Sequence, residues 1–451
     1  MIRKIRKLIL HPHWYFYDYF RKRLGFKKYF VTEKIRLLDS GNHHKWVKLL
    51  FTHPSLYLYY KFNKILRNPA YPVLVDYRIE SLSKTAGGGV KAVLVVELER
   101  QNCIYFADPE IILKALNKEE PYLADKILKF DYKGCGNKAF IDAGVKFGSN
   151  WSVIFAGNNN IINFKPECKC DGGLVKFIGH NNTIAFGNSN SVCNGALISC
   201  NGDGNTLLTM SNCVFMSNSR VEFHQDSNFA YIGTNSTIFP SARINFSGNN
   251  ALAYYTGNQG IKHSVALTMN NIFFHGGYTS GISSRNHSYR AFEGMNILIG
   301  ADTMFALGLR ICTSDTHLIY DANNLKRINH GKSIIIGDHV WIGEDCCLLK
   351  GAHIEDGCVV GTRSIVTNHV LENSICAGCP AVIKKRNIIW DRKLTIYFTK
   401  DEREESETYI MPNYQYIPVG YKKLLLIDSI NNNLSSSEKL KEIHKIIEQI
   451  N

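Results

Sequence analysis

A six-residue beat of aliphatic side chains runs through residues 336–366: Ile336, Ile342, Leu348, Ile354, Val360 and Val366, with Gly337, Gly343 and Gly361 directly after three of them. Neither an α-helix, at 3.6 residues per turn, nor a flat strand, at two, has that period. A coil with three short faces does. One aliphatic residue points inward from each face and small or left-handed-tolerant residues turn each corner. About eighteen residues complete a triangular turn, and stacked turns bury the aliphatics in a column. Each coil hydrogen-bonds to the next, so open edges remain only at the ends. Such a left-handed coil departs from the usual right-handed crossover.

The beat recurs upstream at Ile232, Ile238 and Ile244, at Ile299, Phe305 and Ile311, and more loosely at Ile178 and Ile184. Asn-rich corners accompany it, as in residues 157–160, 180–182 and 248–250. Turn-rich repeats favour Asn, whereas a packed helical domain has little use for it. Residues 251–292 lose the beat and are expected to form loops or excursions. The chain therefore reads as mainly β. A long left-handed parallel β-helix spans residues 131–388, behind an N-terminal helical or α+β region of residues 1–130 and ahead of a C-terminal extension, residues 389–451, ending in a helix. Residues 90–97 and 103–106 look like strands, and residues 109–116 like a helix capped by Asp108. The Gly-rich run at 85–91 lacks the Gly-Lys-Ser/Thr ending of a phosphate loop. In the terminal helix, residues 435–450, Ser435 and Glu438 have capping-box spacing, and Leu440, Ile443, Ile447 and Ile450 share a face that packs on the body or on a neighbouring subunit.

A length of 451 residues and a 45% hydrophobic composition allow a substantial core and argue against disorder. The net charge of +14 favours polyanions: acidic lipid, anionic polysaccharide or cofactor phosphates. No nucleic-acid module is present, so nucleic acid is not an expected partner. Thirteen scattered cysteines, with no secretory-type opening, point to a reducing compartment, and neither Cys168-x-Cys170 nor Cys346-Cys347 has a second ligand pair, so no metal is expected. The first thirty residues alternate basic and aromatic side chains, from Arg3 and Lys4 to Tyr29 and Phe30. That composition suits either a packed helix with a solvated basic face or a peripheral contact with a membrane or an assembly partner.

Three motifs combine near the regular coils: Gly-Asp-x-Val-Trp-Ile-Gly at 337–343, Gly-x-x-Ser-x-Val-Thr at 361–367 and Ala-Gly-x-Pro-Ala at 377–381. With Ser314-Asp315-Thr316-His317 upstream, residues 295–390 resemble the hexapeptide-repeat O-acetyltransferases, among them galactoside, maltose and surface-polysaccharide acetyltransferases. The resemblance implies a catalytic histidine in an excursion loop 24 residues before a coil tryptophan, the interval between His317 and Trp341. It also implies acetyl-CoA as co-substrate, a saccharide acceptor, a homotrimer with sites between subunits, and a cytoplasmic enzyme working at the inner face of a membrane or free of it. Direct transfer needs a base for the sugar hydroxyl, and imidazole titrates near neutrality. Asp315 and Asp321 are both candidates to orient His317. By resemblance, Trp341 lines the acceptor or pantetheine channel, Gly343 and Thr362 meet the pantetheine arm, and Thr367 and Lys385 lie towards the nucleotide. Lys384, Lys385 and Arg386 form a cationic cluster suited to phosphates. Asn286, His287, Arg327 and Asn329 are candidate acceptor contacts, whereas His330, His339 and His353 are expected in solvent. Glu344 and Asn368 depart from the galactoside-type pattern. An N-acyltransferase on an amino sugar and a non-catalytic polysaccharide-binding solenoid are the alternatives.

Overall fold

A computed structural model of the chain describes residues 74–84, 90–107, 129–277, 286–410 and 418–448. The N-terminal basic-aromatic segment, the Gly-rich run at 85–89 and the helix expected at 109–116 lie outside the described residues. These form two compact units. One runs to Ser227 and includes Ile238–Ser241; the other comprises Asn228–Thr237 and the chain from Ala242 onward.

In the first unit, strand Leu74–Lys84 pairs antiparallel with Val90–Leu98, which pairs antiparallel with Cys103–Phe106. From there the pairing becomes parallel, through Lys138–Ile141, Ile161–Phe164, Thr183–Phe186 and Thr206–Thr209. A second parallel column runs through Phe130–Tyr132, Lys146–Phe155, Lys169–Phe177, Leu197–Cys200 and Arg220–Phe223. Alternate residues are buried, so each four-residue strand sends two side chains inward. The core is aromatic as well as aliphatic: Phe155 stacks on Phe177 at 4.9 Å and Phe164 on Phe186 at 5.3 Å.

The coil step here is 22 or 23 residues, as in Asn182 to Asn205, not the eighteen of the later repeats. The extra residues build larger corners, which explains why the six-residue beat is faint upstream. Ile178, counted into that beat, is 43% exposed, whereas Ile184 is fully buried. The corners have a construction of their own. Asn102, Asn137, Asn160, Asn182 and Asn205 are wholly buried and stack in register. Each side-chain oxygen from Asn102 to Asn182 accepts both the backbone N–H and the side-chain amide of the next member, at 2.8–3.1 Å. Beside this ladder Asn159 and Asn181 adopt φ of 56° and 57°, which Asn tolerates better than most residues. Gly134, Gly157 and Gly179 complete the corner because a Cβ at each would sit 1.9–2.0 Å from the carbonyl oxygen of the coil above.

The second unit carries the regular beat, and Ile336, Ile342, Leu348, Ile354, Val360 and Val366 are all buried. Three faces are present: Ile334–Ile336, Trp341–Ile342 and Cys347–Leu349 lie in three different sheets. Residues 251–277 and 286–291, expected to leave the solenoid, stay in it as strands Leu252–Tyr255, Gly260–Ile261, Ser264–Leu267, Ile272–His275 and Ser288–Ala291. Aromatic inward residues, such as Tyr255, Phe273 and Tyr289, replace the aliphatic signal there. The last strand, Ala381–Lys385, folds back antiparallel on Ile375–Gly378 and ends the coil.

Beyond it, helices α1 (Lys400–Glu405), α2 (Tyr421–Asp428) and α3 (Ser436–Glu448) follow. The Ser435–Glu438 capping box forms, with Ser435 N–H to Glu438 at 2.8 Å and Glu438 N–H to Ser435 at 3.3 Å. Leu440 and Ile443 are buried, and α3 packs on the unit's own strand Leu252–Tyr255. Among the described residues no helix is long and apolar enough to cross a membrane.

The asparagine ladder should be worth more than its individual hydrogen bonds. Asn160→Ala strands the buried Asn182 N–H and its amide, and urea unfolding should register a loss of about 2–3 kcal/mol. Asn158→Ala, at a half-buried position where it removes one partly solvated bond to Cys135 N–H, should cost much less.

Candidate functional site

The site forms where the coil is interrupted. Strand Arg310–Cys312 ends at Thr313, and the solenoid resumes only when Lys332 donates back to the Thr313 carbonyl at 3.0 Å and strand Ile334–Ile336 begins. The chain between them carries His317.

Its base is tied by three polar residues. Glu293, at the corner after Ser288–Ala291, accepts from Arg327 at 2.9 and 2.7 Å, from Gly331 N–H at 3.2 Å and from the Ser314 hydroxyl. The Ser314 hydrogen bond, seconded by Arg327 and Gly331, holds the Glu293 carboxyl below its ordinary range. Asp315 is likewise held low, first by Lys350 and then by Asn329. Buried Asn329 spends both ends of its amide within the loop. Its oxygen accepts Ile319 N–H at 2.9 Å and Arg327 Nε at 3.3 Å, and its nitrogen donates to the His317 carbonyl at 2.7 Å and to Asp315 at 3.1 Å.

Farther out the loop is a hairpin in which Tyr320 bridges Arg327, and Asp321 caps the turn by accepting from Asn323 and Asn324 N–H at 2.8 and 3.2 Å. The structure therefore gathers Asp315, Arg327 and Asn329 around the His317 main chain and places Asp321 in the turn. His317 is exposed, and among the described residues no side chain hydrogen-bonds its ring. Ser314, already part of the motif around His317, completes this arrangement with Glu293 and Lys350, which carry no local sequence signal because each reaches the loop from another coil.

Trp341 stands on the third face, between Met304 and Val359, and is 39% exposed. Its ring tilts against Trp390 at 5.9 Å. Trp390 is buried, stacks on His339 at 4.0 Å and donates its indole N–H to the His339 carbonyl at 2.8 Å. His339 is thus not the solvent residue expected. Nδ1 meets Asp302 at 2.6 Å and Nε2 meets the Trp390 carbonyl at 3.1 Å, while Arg392 donates to the same Asp302 at 2.9 Å. His353 is also engaged, with Nδ1 2.9 Å from the Tyr421 hydroxyl. His330 is exposed as expected.

Gly343 is required by coil stacking, since a Cβ there would lie 2.6 Å from Thr362 N. Thr362 is exposed and Thr367 half-buried. Lys384, Lys385 and Arg386 are exposed at the end of the return strand, and among the described residues no carboxylate pairs with them. That unneutralised cluster fits a phosphate-bearing group. All thirteen cysteines are free thiols. Among the described residues no three His, Cys, Asp or Glu side chains group as a metal would require.

Asn286 is exposed with φ of 63°, but its neighbour His287 is buried inside the coil. There it joins His263 and His275 in a polar column: His287 Nδ1 meets Tyr289 at 3.0 Å, Nε2 meets the Ala306 carbonyl at 2.6 Å, and His263 meets Tyr255 at 3.0 Å. Burial pushes all three imidazoles down, His275 to about 3.

No family model matches the chain. Among curated proteins it is similar to a polysialic acid O-acetyltransferase of Escherichia coli O1:K1 / APEC, 41% identical over 97 residues that are 22% of this chain and 32% of that protein. The polysialic acid O-acetyltransferase of Neisseria meningitidis is 36% identical over 114 residues, 25% of this chain and 53% of its own. A putative lipopolysaccharide biosynthesis O-acetyl transferase of Escherichia coli (strain K12) is 32% identical over 101 residues, 20% and 52% of the two chains. These relatives are hexapeptide-repeat acetyltransferases. The chain spans about a third to a half of the length of the relatives it matches. A crystal structure of a polysialic acid O-acetyltransferase aligns with 62% of this chain and 99% of its own at 25% identity, with a TM-score of 0.24, a superposition too loose to carry geometry.

Two outcomes follow from these contacts. The histidine column is neutral when folded, so its stability is fully present above the unfolded histidine pKa of about 6.5 and is lost as pH falls below it, by up to ~1.4 kcal/mol per pH unit for each histidine. Thermal unfolding midpoints should therefore drop between pH 7 and pH 5, and less steeply in His275→Leu. In the loop, Asn329→Ala should speed hydrogen exchange at the Ile319 amide, while exchange at the coil amide of Ile342 stays slow.

Proposed function

We propose that this protein is an O-acetyltransferase that moves an acetyl group from acetyl-CoA to a hydroxyl of a capsular or other surface polysaccharide, with His317 as general base. The observation that carries this reading is the His317 loop itself. Its main chain is clamped by Asn329 and by the Glu293–Arg327 and Asp315–Lys350 pairs, while its imidazole is exposed and uncommitted. The acetyltransferase relatives and the interval between His317 and Trp341 support it.

In this mechanism the His317 imidazole accepts the proton of the sugar hydroxyl as the oxygen attacks the thioester carbonyl. The resulting imidazolium returns that proton to the departing thiolate. Backbone N–H groups of the adjoining coils stabilise the oxyanion. Asp315 and Asp321 do not hold the ring here, so orientation comes through the His317 carbonyl and the clamped loop. Trp341 offers an exposed aromatic wall, held from behind by Trp390. Lys384, Lys385 and Arg386 would meet the phosphates of the acyl donor, with Gly343, Thr362 and Thr367 along its arm.

The outward hairpin exposes Leu318, Ile319, Tyr320, Leu325 and Ile328, an apolar edge that favours burial against a second subunit. A homotrimer in which Trp341 completes the site of a neighbouring His317 is the assembly we infer.

Purified protein should release CoA from acetyl-CoA only when a saccharide acceptor is present. His317→Ala should lower kcat by about 10²–10⁴-fold with an unchanged unfolding midpoint. Normal turnover in that variant would sink the base assignment, and acceptors with a blocked amine but free hydroxyls should remain substrates.

A further inference from the structure

One outward surface of the second unit is furnished with arginine alone. Arg243 pairs with Ser264, Ser264 with Ser288, Ser288 with Arg310 and Arg310 with Cys347, so these positions form one row across successive coils. A parallel row holds Asn245, Ala266, Arg290, Cys312 and Leu349. Burial alternates along every one of these strands, which turns both rows outward. At about 4.8 Å per strand, Arg243 and Arg310 stand roughly 14 Å apart. Arg290 is the diagonal neighbour of Arg310, at about 7 Å.

Like charges gathered on one face repel one another and set up a positive field there unless something neutralises them. Nothing on these rows does. The neighbours are Ser, Asn, Ala, Cys and Leu, and among the described residues none of the three arginines forms an ion pair. The acids closest along the chain to Arg290 and Arg310 are already committed, Glu293 to Arg327 and Asp315 to Lys350. The Cys347 thiol, raised chiefly by burial, feels the opposing pull of both Arg310 and Arg290, so two guanidinium groups converge on one patch. The strand that bears Arg310 continues directly into the loop that bears His317.

We propose that Arg243, Arg290 and Arg310 form a track that binds a carboxylate-bearing polysaccharide and leads it to His317. Guanidinium groups grip carboxylates in bidentate fashion. Their spread over several coils suits a polymer with repeated charges better than one compact anion, and Ser264, Ser288 and Ala266 leave the surface between them low. The track rests on the polysaccharide acyltransferase reading and narrows its acceptor to an anionic chain.

Equilibrium binding of polysialic acid to the full-length protein tests it without turnover. The wild type should bind polysialic acid at least about tenfold more tightly than neutral dextran, and R290Q/R310Q should lose about that factor with an unchanged unfolding midpoint. K400Q/R403Q, the same charge change on α1, should bind as the wild type does. Equal binding of dextran, equal loss in the α1 variant, wild-type affinity in R290Q/R310Q, or arginine-dependent binding of single-stranded DNA as tight as that of polysialic acid would each overturn the track. A protein that binds the polymer through these arginines yet transfers no acetyl group to any saccharide overturns the catalytic reading and leaves the track standing.

Discussion

A coil corner turns backbone N–H groups inward where no strand can pair them, and each must find an acceptor or cost on the order of 1–3 kcal/mol. The first unit solves this chiefly with asparagine, joined on the exposed side of the corner by His180, Asp203 and Asp226. Asn offers an oxygen to the coil on one side and an amide to the coil on the other, so a column of them satisfies itself indefinitely. The aromatic and aliphatic core can stack only because that column keeps successive coils in register.

The second unit meets the same demand with changing chemistry. Asn228 accepts from Ala251 N–H and Asn296 from Ile272 N–H, but farther along the acceptors are carboxylates: Asp338 takes Ala301 N–H at 2.7 Å and Asp356 takes Asp338 N–H at 2.7 Å. A carboxylate has a second oxygen and no donor, and that difference has a structural use. Asp338 receives Val419 and Gly420 N–H at 2.8 and 2.9 Å, and Asp356 receives Tyr421 N–H at 3.1 Å, so the start of α2 is seated on the coil. Burial raises Asp338 to about 6 against the pull of those donors. At α3, buried Lys439 donates to the Asn250 and Asn270 carbonyls at 3.1 Å and is lowered by burial to about 8. The extension is thus held by ionisable groups in dry settings, where each contact is strong and each lost partner is costly.

What could be read in the sequence follows from corner size. Where corners are short, the inward residues recur at six and Ile336 to Val366 declare the solenoid outright. Where the step lengthens to 22 or 23, the same architecture survives but its period dissolves, and Ile178 and Ile184 keep the spacing by accident of sequence while only one points inward. The Asn-rich corners were visible as turns, yet their function as a buried ladder depends on register between coils. His339 misled for a similar reason: it occupies a corner, but Trp390, some fifty residues later, returns to cover it. The motifs singled out His317 and Trp341 as candidates because both lie in or beside short-corner coils. The partners that shape the His317 loop escaped notice because Glu293 and Lys350 flank it from separate coils.

The contrast between His317 and His339 separates a structural imidazole from one available for proton transfer. His339 has an acid on one nitrogen, a carbonyl on the other and an indole against its face, so both ring nitrogens are committed to built contacts. His317 has its constraint placed elsewhere, in a main-chain carbonyl gripped by Asn329 and in charged pairs at the loop's two feet. The proposed base role would have the ring accept a proton and surrender it within one cycle, and neither act would disturb that clamp. The interruption of the coil is what permits this division, because only a segment released from the inter-coil ladder can present a histidine whose position is fixed while its ring is not.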